Sequence, residues 1–355
     1  LSLPSSPPSS PLPDLLNLSM ALRELQSVEE WQEALYTELQ GGQRYLPENY
    51  AFANFLKMSM SGRYPHTDSW VFVYEAGTVR YYFLVEYHPT QRVIVHVHKP
   101  STGHSPSLLH DSLVALLNQF RDLILYRAGA LFFADVDVVV EVDRTIGDVI
   151  GAKFLPGSTK GWTTFFMTDS QKELLQRLEI SLPEGYRFAE VDIDNDVEVI
   201  QANWRYGGSE ECTVFRLTCL PYVCVRDARN GLVAWGLASR FGEMCHLYTL
   251  PEHRRKGIGR AVELALAKKF IALELEVFKY VDERDAAVFG ASSRNPIWTL
   301  RHNDDTTVHY TVFSKLEMAE EEHSRRRRAR ADTDTSSQPE IPGSPLEKSS
   351  ITWGQ

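Results

Sequence analysis

Residues 241–270 form one stretch in which a strand, a basic turn and a helix follow one another directly. Alternating side chains of β-favouring types predict a strand over residues 243–248. From Gly257 onward, apolar residues recur at the spacing of an amphipathic helix. Between strand and helix stands Arg254-Arg255-Lys256-Gly257-Ile258-Gly259, an R-x-x-G-x-G pattern. This succession of elements is typical of α/β proteins and indicates a mixed-sheet fold of that class.

The turn has the properties of an anion-binding site. The first backbone N–H groups of a helix have no intrahelical acceptor, and the positive end of the helix dipole lies beside them. Gly257 and Gly259 carry no side chain, so a pyrophosphate can approach the backbone closely. Arg254, Arg255 and Lys256 add positive charge. The bare pattern also fits a solvated basic turn, and the strand and helix around it favour phosphate binding.

Between a strand and a helix, R-x-x-G-x-G resembles the coenzyme A pyrophosphate loop of the GNAT acyltransferase superfamily. Three further segments resemble the glycine N-acyltransferase family within it. They are Trp204-Arg205-Tyr206-Gly207-Gly208-Ser209-Glu210, Gly242-Glu243-Met244 and Thr249-Leu250-Pro251-Glu252-His253-Arg254. The resemblance is strong from about residue 182 to 315, fainter from 20 to 168, and does not cover the two ends.

The resemblance implies that coenzyme A, as acyl-CoA, is a co-substrate and that no metal is required. The expected binding residues are Leu247, Tyr248, Thr249, Arg254, Arg255, Lys256, Gly257, Ile258, Gly259 and Arg260. Backbone groups of residues 245–248 would pair with the pantetheine amides, as in GNAT folds, and an N–H of this strand would polarise the thioester carbonyl.

Glu243 is the candidate general base. An ammonium ion has no lone pair for attack, so forming an amide from an amine requires a group that takes its proton. By resemblance, the glutamate of the Gly-Glu-Met segment has this role. From the sequence alone, Glu243 also fits a solvent-facing strand charge.

The resemblance gives no general acid. Many GNAT enzymes use a tyrosine after the next strand, where this chain has Phe289, and Asp285 stands where an asparagine is expected. Tyr280 is nearby and is interpreted as a packed strand residue. A coenzyme A thiolate is a good leaving group near neutral pH, so the reaction does not require an acid.

Residues 204–210 either shape an acceptor pocket or form a helix end at Gly207-Gly208.

Composition limits the other classes of function. The 355 residues suffice for two domains, and 43% hydrophobic residues support real cores. A formal net charge of −10 argues against a protein that coats nucleic acid or an anionic membrane. The 4 cysteines form no C-x-x-C pair, and their low density argues against a disulfide framework, so a reducing compartment is expected. We find no apolar run of membrane-spanning length and no signal peptide.

The order of predicted elements repeats. Helices at 24–39 and 47–60, strands at 70–75, 80–87 and 92–98, a helix at 108–126 and a strand at 131–142 make up the first copy. The second has helices at 194–204 and 210–220, strands at 222–226, 232–240 and 243–248, a helix at 257–271 and a strand at 275–281. A helix at 284–292 and a strand at 308–316 follow. A strand at 162–167 and a helix at 171–178 lie between the copies.

We therefore predict two GNAT-like domains in tandem, at 20–168 and 169–316, flanked by disordered segments at 1–19 and 317–355. After its third strand the first copy reads KPSTGHSPSLLH and has no R-x-x-G-x-G, so we interpret it as a degenerate, structural half.

Two further features have structural explanations that we favour. His96 and His98 lie on one side of a strand but have no third metal ligand at a useful spacing, which favours structural histidines. Arg325 to Arg328, with Arg330, fits a solvated tail, a nuclear localisation signal or a phosphate-binding arm.

The leading hypothesis is an acyl-CoA-dependent N-acyltransferase that acts on the amine of glycine or another small amino acid. The alternatives are a GNAT enzyme that acts on a protein lysine or a polyamine, a non-catalytic acyl-CoA-binding module, and a nuclear adaptor. The resemblance suggests mitochondria, with cytoplasm or nucleus as alternatives, because no Arg-rich presequence is evident after Met20.

Overall fold

A computed structural model gives the fold of the chain. It describes residues 21–39, 49–62, 68–87, 93–100, 103–126, 130–150, 152–154, 161–204, 209–240, 242–282, 284–303, 306–307, 309–311 and 316–318. The predicted disordered segment 1–19 and the arginine run at 325–330 lie outside these residues. No helix in the described ranges is both long and apolar enough to cross a bilayer.

The first half begins with a strand and continues as two helices, three strands, a helix, a strand, a helix and two strands. These are β1 Ala21–Leu25, α1 Val28–Glu33 with a π-helical extension Ala34–Leu39, α2 Tyr50–Met60, β2 Asp68–Ala76, β3 Val79–Tyr87, β4 Val93–His98, α3 Pro106–Tyr126, β5 Ala130–Asp135, α4 Val136–Ile150, β6 Ala152–Phe154 and β7 Gly161–Phe166.

The second half follows the same order after a connecting helix, α5 Asp169–Arg177. Its elements are β8 Tyr186–Ala189, α6 Ile193–Ala202, α7 Glu210–Cys219, β9 Tyr222–Asp227, β10 Leu232–Ala238, β11 Met244–Thr249, α8 Ile258–Ala272, β12 Phe278–Val281, α9 Ala286–Arg294, β13 Thr299–Leu300, β14 His302–Asn303, β15 Thr306–Thr307, β16 His309–Thr311 and β17 Leu316–Met318. The predicted mixed α/β fold is confirmed, and the element order recurs in both halves.

Two sheets organise the molecule. The larger has the strand order β1-β2-β3-β4-β5-β16-β7-β12, with β13 also paired to β7, and the smaller has the order β11-β10-β9-β8. Strands β4 and β5 are parallel, whereas the other described pairs are antiparallel. One hydrophobic core includes Phe52 and Leu56 of α2 together with Val262 and Phe270 of α8, so side chains of both halves share it.

The two halves exchange strands. Strand β16 of the second half lies between β5 and β7 of the first, with Tyr310 opposite Asp135 and Trp162. In return, β7 pairs along β12 of the second half, from Phe278↔Phe166 to Val281↔Thr163. The domain boundaries at 20–168 and 169–316 remain a prediction, and the pairing of strands crosses them. Residues 317–318, assigned above to the tail, belong to β17.

One predicted helix, at 24–39, begins later than expected. Ala21–Leu25 instead forms β1, which pairs with β2. Ser27 then starts α1 through a capping box: its hydroxyl accepts from Glu30 N, and Glu30 Oε2 accepts from Ser27 N. The Ser-x-x-Glu signature determines where the helix starts. The residues before it form a strand because they pair with β2.

The predicted strand at 131–142 is correct only as far as Asp135, because α4 starts at Val136. Alternating Asp and Val residues satisfied the strand period in the sequence. The same residues also have helical spacing, and Val138, Val139, Val142 and Ile146 form a buried face of α4. Of the predicted final strand, 308–316, His309–Thr311 forms β16 and residue 316 begins β17, whereas 308 and 312–315 lie outside the described residues.

Candidate active site

The central feature of the site is an unpaired strand edge. Strand β11 pairs with β10 on one side and ends its sheet there, and β12 pairs with β7 in the other sheet. Within the described ranges, no ladder joins β11 to β12. The corresponding strands of the first half, β4 and β5, are paired from Val93↔Ala130 to His96↔Phe133. Separation of the two central strands is therefore a property of the second half.

A bulge disturbs β11 at its middle. Trp235 pairs with Tyr248 and Leu237 with Cys245, so Gly236 alone faces both His246 and Leu247. His246 has φ 43, in the left-handed region. A bulge leaves one residue out of the ladder and redirects its backbone groups. It also interrupts the side-chain alternation that the sequence predicted for residues 243–248.

The basic turn follows β11 and presents its charges to solvent. Arg254, Arg255, Lys256 and Arg260 are exposed. Arg254 Nε donates to Thr249 O at 2.9 Å, and its guanidinium lies 5.3 Å from the Tyr248 ring centroid. Lys256 and His253 are also held in place, because both bond to the Tyr186 hydroxyl, Lys256 Nζ at 2.8 Å and His253 Nδ1 at 3.0 Å.

The start of α8 is open to an anion. Gly257 precedes the helix with φ 83 and provides no side-chain cap for its first N–H groups. Gly259 is close to β11, since a Cβ there would lie 3.3 Å from Thr249 Oγ1. Ile258 has a buried side chain, so its backbone is the part available to a ligand. These residues fit the phosphate groups of a nucleotide-type cofactor, which satisfy uncapped N–H groups at a helix start.

Glu243 lies at the other end of β11, in the turn just before the strand. Ser239 N donates to Glu243 O at 2.9 Å, and Gly242 N donates to Ser239 O at 3.1 Å, which closes the turn. The Ser239 hydroxyl also donates to Glu243 Oε2 at 2.5 Å. Gly242 has φ 80, as the turn requires.

The Glu243 side chain is 5% exposed, so it is not the solvent-facing charge that the sequence alone allowed. Burial raises the pKa of its carboxyl above the usual value near 4.5, and the hydrogen bond from Ser239 and the charge of Arg216 oppose this. A carboxylate with a raised pKa is a stronger base than a solvated one. The structure thus provides a chemical property that the base requires.

Asn54, from α2 of the first half, bridges the starts of the two separated strands. Its Nδ2 donates to Gly242 O and to Glu276 O, each at 2.8 Å, and its Oδ1 accepts from Glu276 N at 2.7 Å. Asn54 is fully buried, and a Cβ on Gly242 would lie 2.4 Å from Asn54 Cβ. The contact therefore excludes any other residue at Gly242 without movement of the backbone.

A second contact between the halves holds the same turn. Arg240 donates from Nε to Glu86 Oε1 of β3 at 2.7 Å, and both side chains are buried. Burial raises the pKa of Glu86, and the charge of Arg240 opposes it. The first half therefore contacts the turn on both sides of Phe241.

One face of β11 carries an aromatic stack. The His246 ring lies 4.4 Å from that of Trp204, nearly parallel at 13°, and its Nε2 is 3.3 Å from Asn203 O. Trp235 Nε1 lies 3.4 Å from His246 Nδ1. Burial lowers the pKa of His246 to about 4, so the ring is neutral at physiological pH. On Trp204 also lies Arg216 of α7, its Cζ 4.1 Å from the ring centroid.

The three residues that the sequence analysis discussed in connection with a general acid lie in different surroundings. Tyr280 of β12 is half-buried against Phe133 and Phe278, and burial together with the charge of Glu243 holds its pKa well above 10. Phe289 packs edge-on against Phe165, with ring centroids 5.5 Å apart. Asp285 caps α9 by accepting from Val288 N. Tyr280 is thus packed, as predicted, and the charge of Glu243 also contributes to its raised pKa.

His96 and His98, which we interpreted as structural histidines, are packed in the interior. Both are buried, and the Phe52 ring contacts both of theirs, at 5.6 and 5.9 Å. Burial lowers the pKa of His96 to about 3 and of His98 to about 4. In the part of the chain that the structure describes, no three His, Cys, Asp or Glu side chains are grouped as metal ligands.

The sequence missed several contributors to the site. Asn54 is separated from Gly242 by 188 positions, and no local pattern marks it. Arg216 looks like an ordinary last-turn arginine, and Ser239 like a strand residue. Residues 205–208 of the predicted acceptor segment lie outside the described residues, whereas Trp204 and Ser209, which caps α7, lie within them.

Comparison with known proteins points to one group. Residues 223–289 match the family model described as FR47-like protein. Glycine N-acyltransferases of Homo sapiens and Pongo abelii are each 28% identical over 122 residues, which is 34% of this chain and 39% of theirs. An X-ray structure of a Drosophila protein superposes with a TM-score of 0.59 at 16% identity, covering 84% of this chain and 98% of that one.

The match thus spans well under half the length of the curated relatives. It confirms the resemblance to glycine N-acyltransferase-like proteins of the GNAT superfamily, which the motifs of the second half indicated. The likeness to the Drosophila protein extends over both halves and concerns the fold alone.

Proposed function

We propose that this protein is an acyl-CoA-dependent N-acyltransferase that transfers an acyl group to the amine of glycine or another small amino acid. The observation that carries the proposal is the edge of β11 that pairs with no other described strand, with the uncapped basic turn at one end and buried Glu243 at the other. Six residues of strand separate the two, about 20 Å at about 3.3 Å per residue.

The turn and the strand edge would hold the acyl-CoA. Exposed Arg254, Arg255, Lys256 and Arg260 favour its phosphates, and the backbone from Gly257 to Gly259 gives them N–H donors. The edge of β11, which no strand covers in the described ranges, leaves Leu247 and its neighbours available to the pantetheine amides. Tyr248 and Thr249 hold Arg254 in place. No metal takes part in this proposal.

Glu243 would take the proton. The acceptor amine arrives as an ammonium ion, Glu243 removes one proton directly or through a water, and the amine nitrogen attacks the thioester carbon. The new C–N bond forms as the C–S bond breaks, coenzyme A leaves as a thiolate, and the second proton of the attacking nitrogen is released to the thiolate or to water. Redirected backbone groups at the β11 bulge are suitable to stabilise the carbonyl oxygen. Tyr280 is kept protonated by its raised pKa, to which burial and the charge of Glu243 both contribute.

The proposal is tested by release of free thiol from a panel of short-, medium- and long-chain acyl-CoAs, with and without glycine. We expect glycine-dependent release and an N-acylglycine of the matching mass. Retained acyl-CoA binding without release, whether glycine, a lysine peptide or spermidine is offered, would leave a non-catalytic binding module. Release with the peptide or spermidine alone would keep the transferase and change the acceptor.

A further inference from the structure

A buried ion pair joins α8 to β12, the two elements that follow β11 and its basic turn in the chain. Lys279 Nζ of β12 donates to Glu263 Oε1 of α8 at 2.5 Å, and the two side chains are 13% and 10% exposed. Two aromatic rings also pack on Lys279, whose Nζ lies 4.4 Å from the ring centroid of Trp298 and 5.9 Å from that of Phe165. The contacts hold both charges in a defined place, and we call them the Glu263–Lys279 pair.

Helix α8 is also fixed to the sheet that contains β11. A Cβ on Gly236 of β10 would lie 3.0 Å from Val262 Cγ1 and 3.4 Å from Leu266 Cδ2, so the helix approaches this sheet closely. Strand β12 belongs to the other sheet through its ladder with β7. The Glu263–Lys279 pair therefore links the two sheets through α8, beside the edge of β11 that pairs with no other described strand.

The spacing between β11 and β12 is determined at two depths. Just before the strands, Asn54 hydrogen-bonds to the backbone of Gly242 and of Glu276. Lys279 lies three residues after Glu276, which is about 10 Å of extended chain at about 3.3 Å per residue. In the first half, a ladder fixes the distance between the corresponding strands β4 and β5. In the second half, the Asn54 bridge and the ion pair have this role instead.

Leu247 of β11 shows that the strand edge is open beyond the Asn54 bridge. Its Cδ1 would lie 3.5 Å from a Cβ on Gly236, beside the α8 side chains that approach the same glycine. It is nevertheless 46% exposed, which is unusual for a leucine in a strand against which a helix packs. A ligand that lies along β11 would cover this side chain.

A buried ion pair is better explained here by geometry than by stability. Both charges lose their water on burial, so apolar groups of similar volume often stabilise a fold as well or better. An ion pair with a hydrogen bond, however, sets one distance between the elements that it joins, whereas apolar side chains pack well at several.

We propose that the Glu263–Lys279 pair positions β12 and so keeps the space beside β11 open for the pantetheine arm of acyl-CoA. This inference rests on the proposed function and adds two positioning residues to it, neither of which touches the reacting atoms. A space that is open before the ligand arrives saves the cost of separating the strands on binding. Without the pair, β12 and its neighbours can shift, and part of the binding energy of the arm is used to reopen the space.

The test compares coenzyme A with ADP, which keeps the pyrophosphate and lacks the pantetheine arm. The quantity measured by calorimetric titration is the Kd of ADP divided by the Kd of coenzyme A, because this ratio reports what the arm contributes. The double variant Glu263→Met/Lys279→Met removes both charges together, so no uncompensated charge stays buried, and methionine retains packing on the aromatic rings. Glu263→Gln keeps a hydrogen-bond acceptor for Lys279 and removes the negative charge.

The matched control is a second buried ion pair between a helix and a strand of the same half, Asp196 of α6 with Arg226 of β9. Strand β9 is separated from β11 by β10, so this pair does not border the edge of β11. Asp196→Leu/Arg226→Met removes its charges in the same way. Thermal unfolding of every variant shows how far stability changes in each.

We expect the Glu263→Met/Lys279→Met variant to lower the ratio about 10-fold, while the Kd of ADP changes by less than about 2-fold. Glu263→Gln should lower the ratio about 3-fold, which tests the inference even if the double variant does not fold. The control should keep the wild-type ratio whatever its unfolding temperature. An unchanged ratio in the variants of the pair, or an equal fall in the control, would leave the pair a merely structural role and overturn the inference. Failure of the wild type to bind coenzyme A would overturn the proposed function, and the inference with it.

Discussion

At the scale of single residues, Glu243 combines two opposing requirements. Burial makes the carboxylate a stronger base, and the same burial disfavours its charge in the folded protein. Ser239 and Arg216 offset part of this cost without removing it. A base arranged in this way lowers the stability of the fold, which is a common property of active sites.

Glu243→Gln should therefore stabilise the protein near neutral pH. The folded-state pKa of Glu243 is raised, so its favourable contribution is complete below the unfolded value and is lost as pH rises through the folded value. Glutamine is neutral throughout and its amide oxygen can still accept from Ser239. We expect a gain of about 1 kcal/mol in the free energy of unfolding at about pH 7, vanishing near pH 4.

Chemical denaturation at the two pH values measures this difference. Glu198→Gln, at an exposed position on α6, is the matched control and should stay within about 0.5 kcal/mol of wild type at both. A Glu243→Gln variant that is less stable than wild type at neutral pH would contradict the conclusion that the burial cost of this carboxylate is only partly offset.

At the scale of elements, β11, the basic turn and the start of α8 form one unit. The sequence indicated this unit correctly, because strand period, glycine positions and helix period are all local signals. The same signals were ambiguous in α4, because its alternating Val and Asp residues fit both the strand period and the helix period. The bulge at His246 had no signal, since pairing with β10 across Gly236 produces it.

The two glycines Gly257 and Gly185 allow the turn to be tested against a matched position. Both have strongly positive φ, 83 and 81, and a Cβ at either would meet nothing within 4 Å. Alanine at each should cost about 1–2 kcal/mol of stability through the backbone. Only Gly257→Ala should weaken coenzyme A binding, by about 10-fold, because it alters the N-terminus of α8, where we propose that the phosphates bind.

Calorimetric titration with coenzyme A, beside thermal unfolding of both variants, measures the two effects separately. Equal affinities in Gly257→Ala and Gly185→Ala would contradict a phosphate site at this turn. A stability loss in one variant alone would contradict the equivalence of the two backbones.

At the scale of the whole molecule, the first half, whose sequence has no R-x-x-G-x-G turn, supports the second half, which has one. The halves exchange β7 and β16, share a core, and meet at the turn of Glu243 through Asn54 and Arg240. The sequence predicted two copies from element order. The exchange could not be predicted in this way, because strands of either copy satisfy the same local pattern and only the assembled sheet distinguishes them.

Asn54→Ala should impair catalysis more than a comparable loss of packing does. It leaves Gly242 O and the Glu276 backbone without their Asn54 partner just before the starts of β11 and β12, which costs about 1–3 kcal/mol of stability. We expect kcat to fall about 10-fold with little change in the KM for acyl-CoA, because the base loses its position while the phosphate turn remains intact.

The control is Met58→Ala, a buried position on the same helix whose truncation typically costs about 2–5 kcal/mol. It should lower stability at least as much while leaving kcat close to wild type, measured well below the unfolding temperature of each variant. If the two variants lose kcat in proportion to their stability, the Asn54 bridge has no special role in positioning Glu243.

The most direct test of the central claim, acyl transfer to an amine deprotonated by Glu243 at the edge of β11, is a single-turnover pH profile. Enzyme saturated with acyl-CoA is mixed with glycine, and the rate of thiol release is followed for wild type and Glu243→Gln. We expect the wild-type rate to fall towards low pH with an apparent pKa above 4.5, and the variant to be about 100- to 10,000-fold slower without that limb, at equal acyl-CoA affinity. Equal rates at every pH would show that Glu243 is not the base.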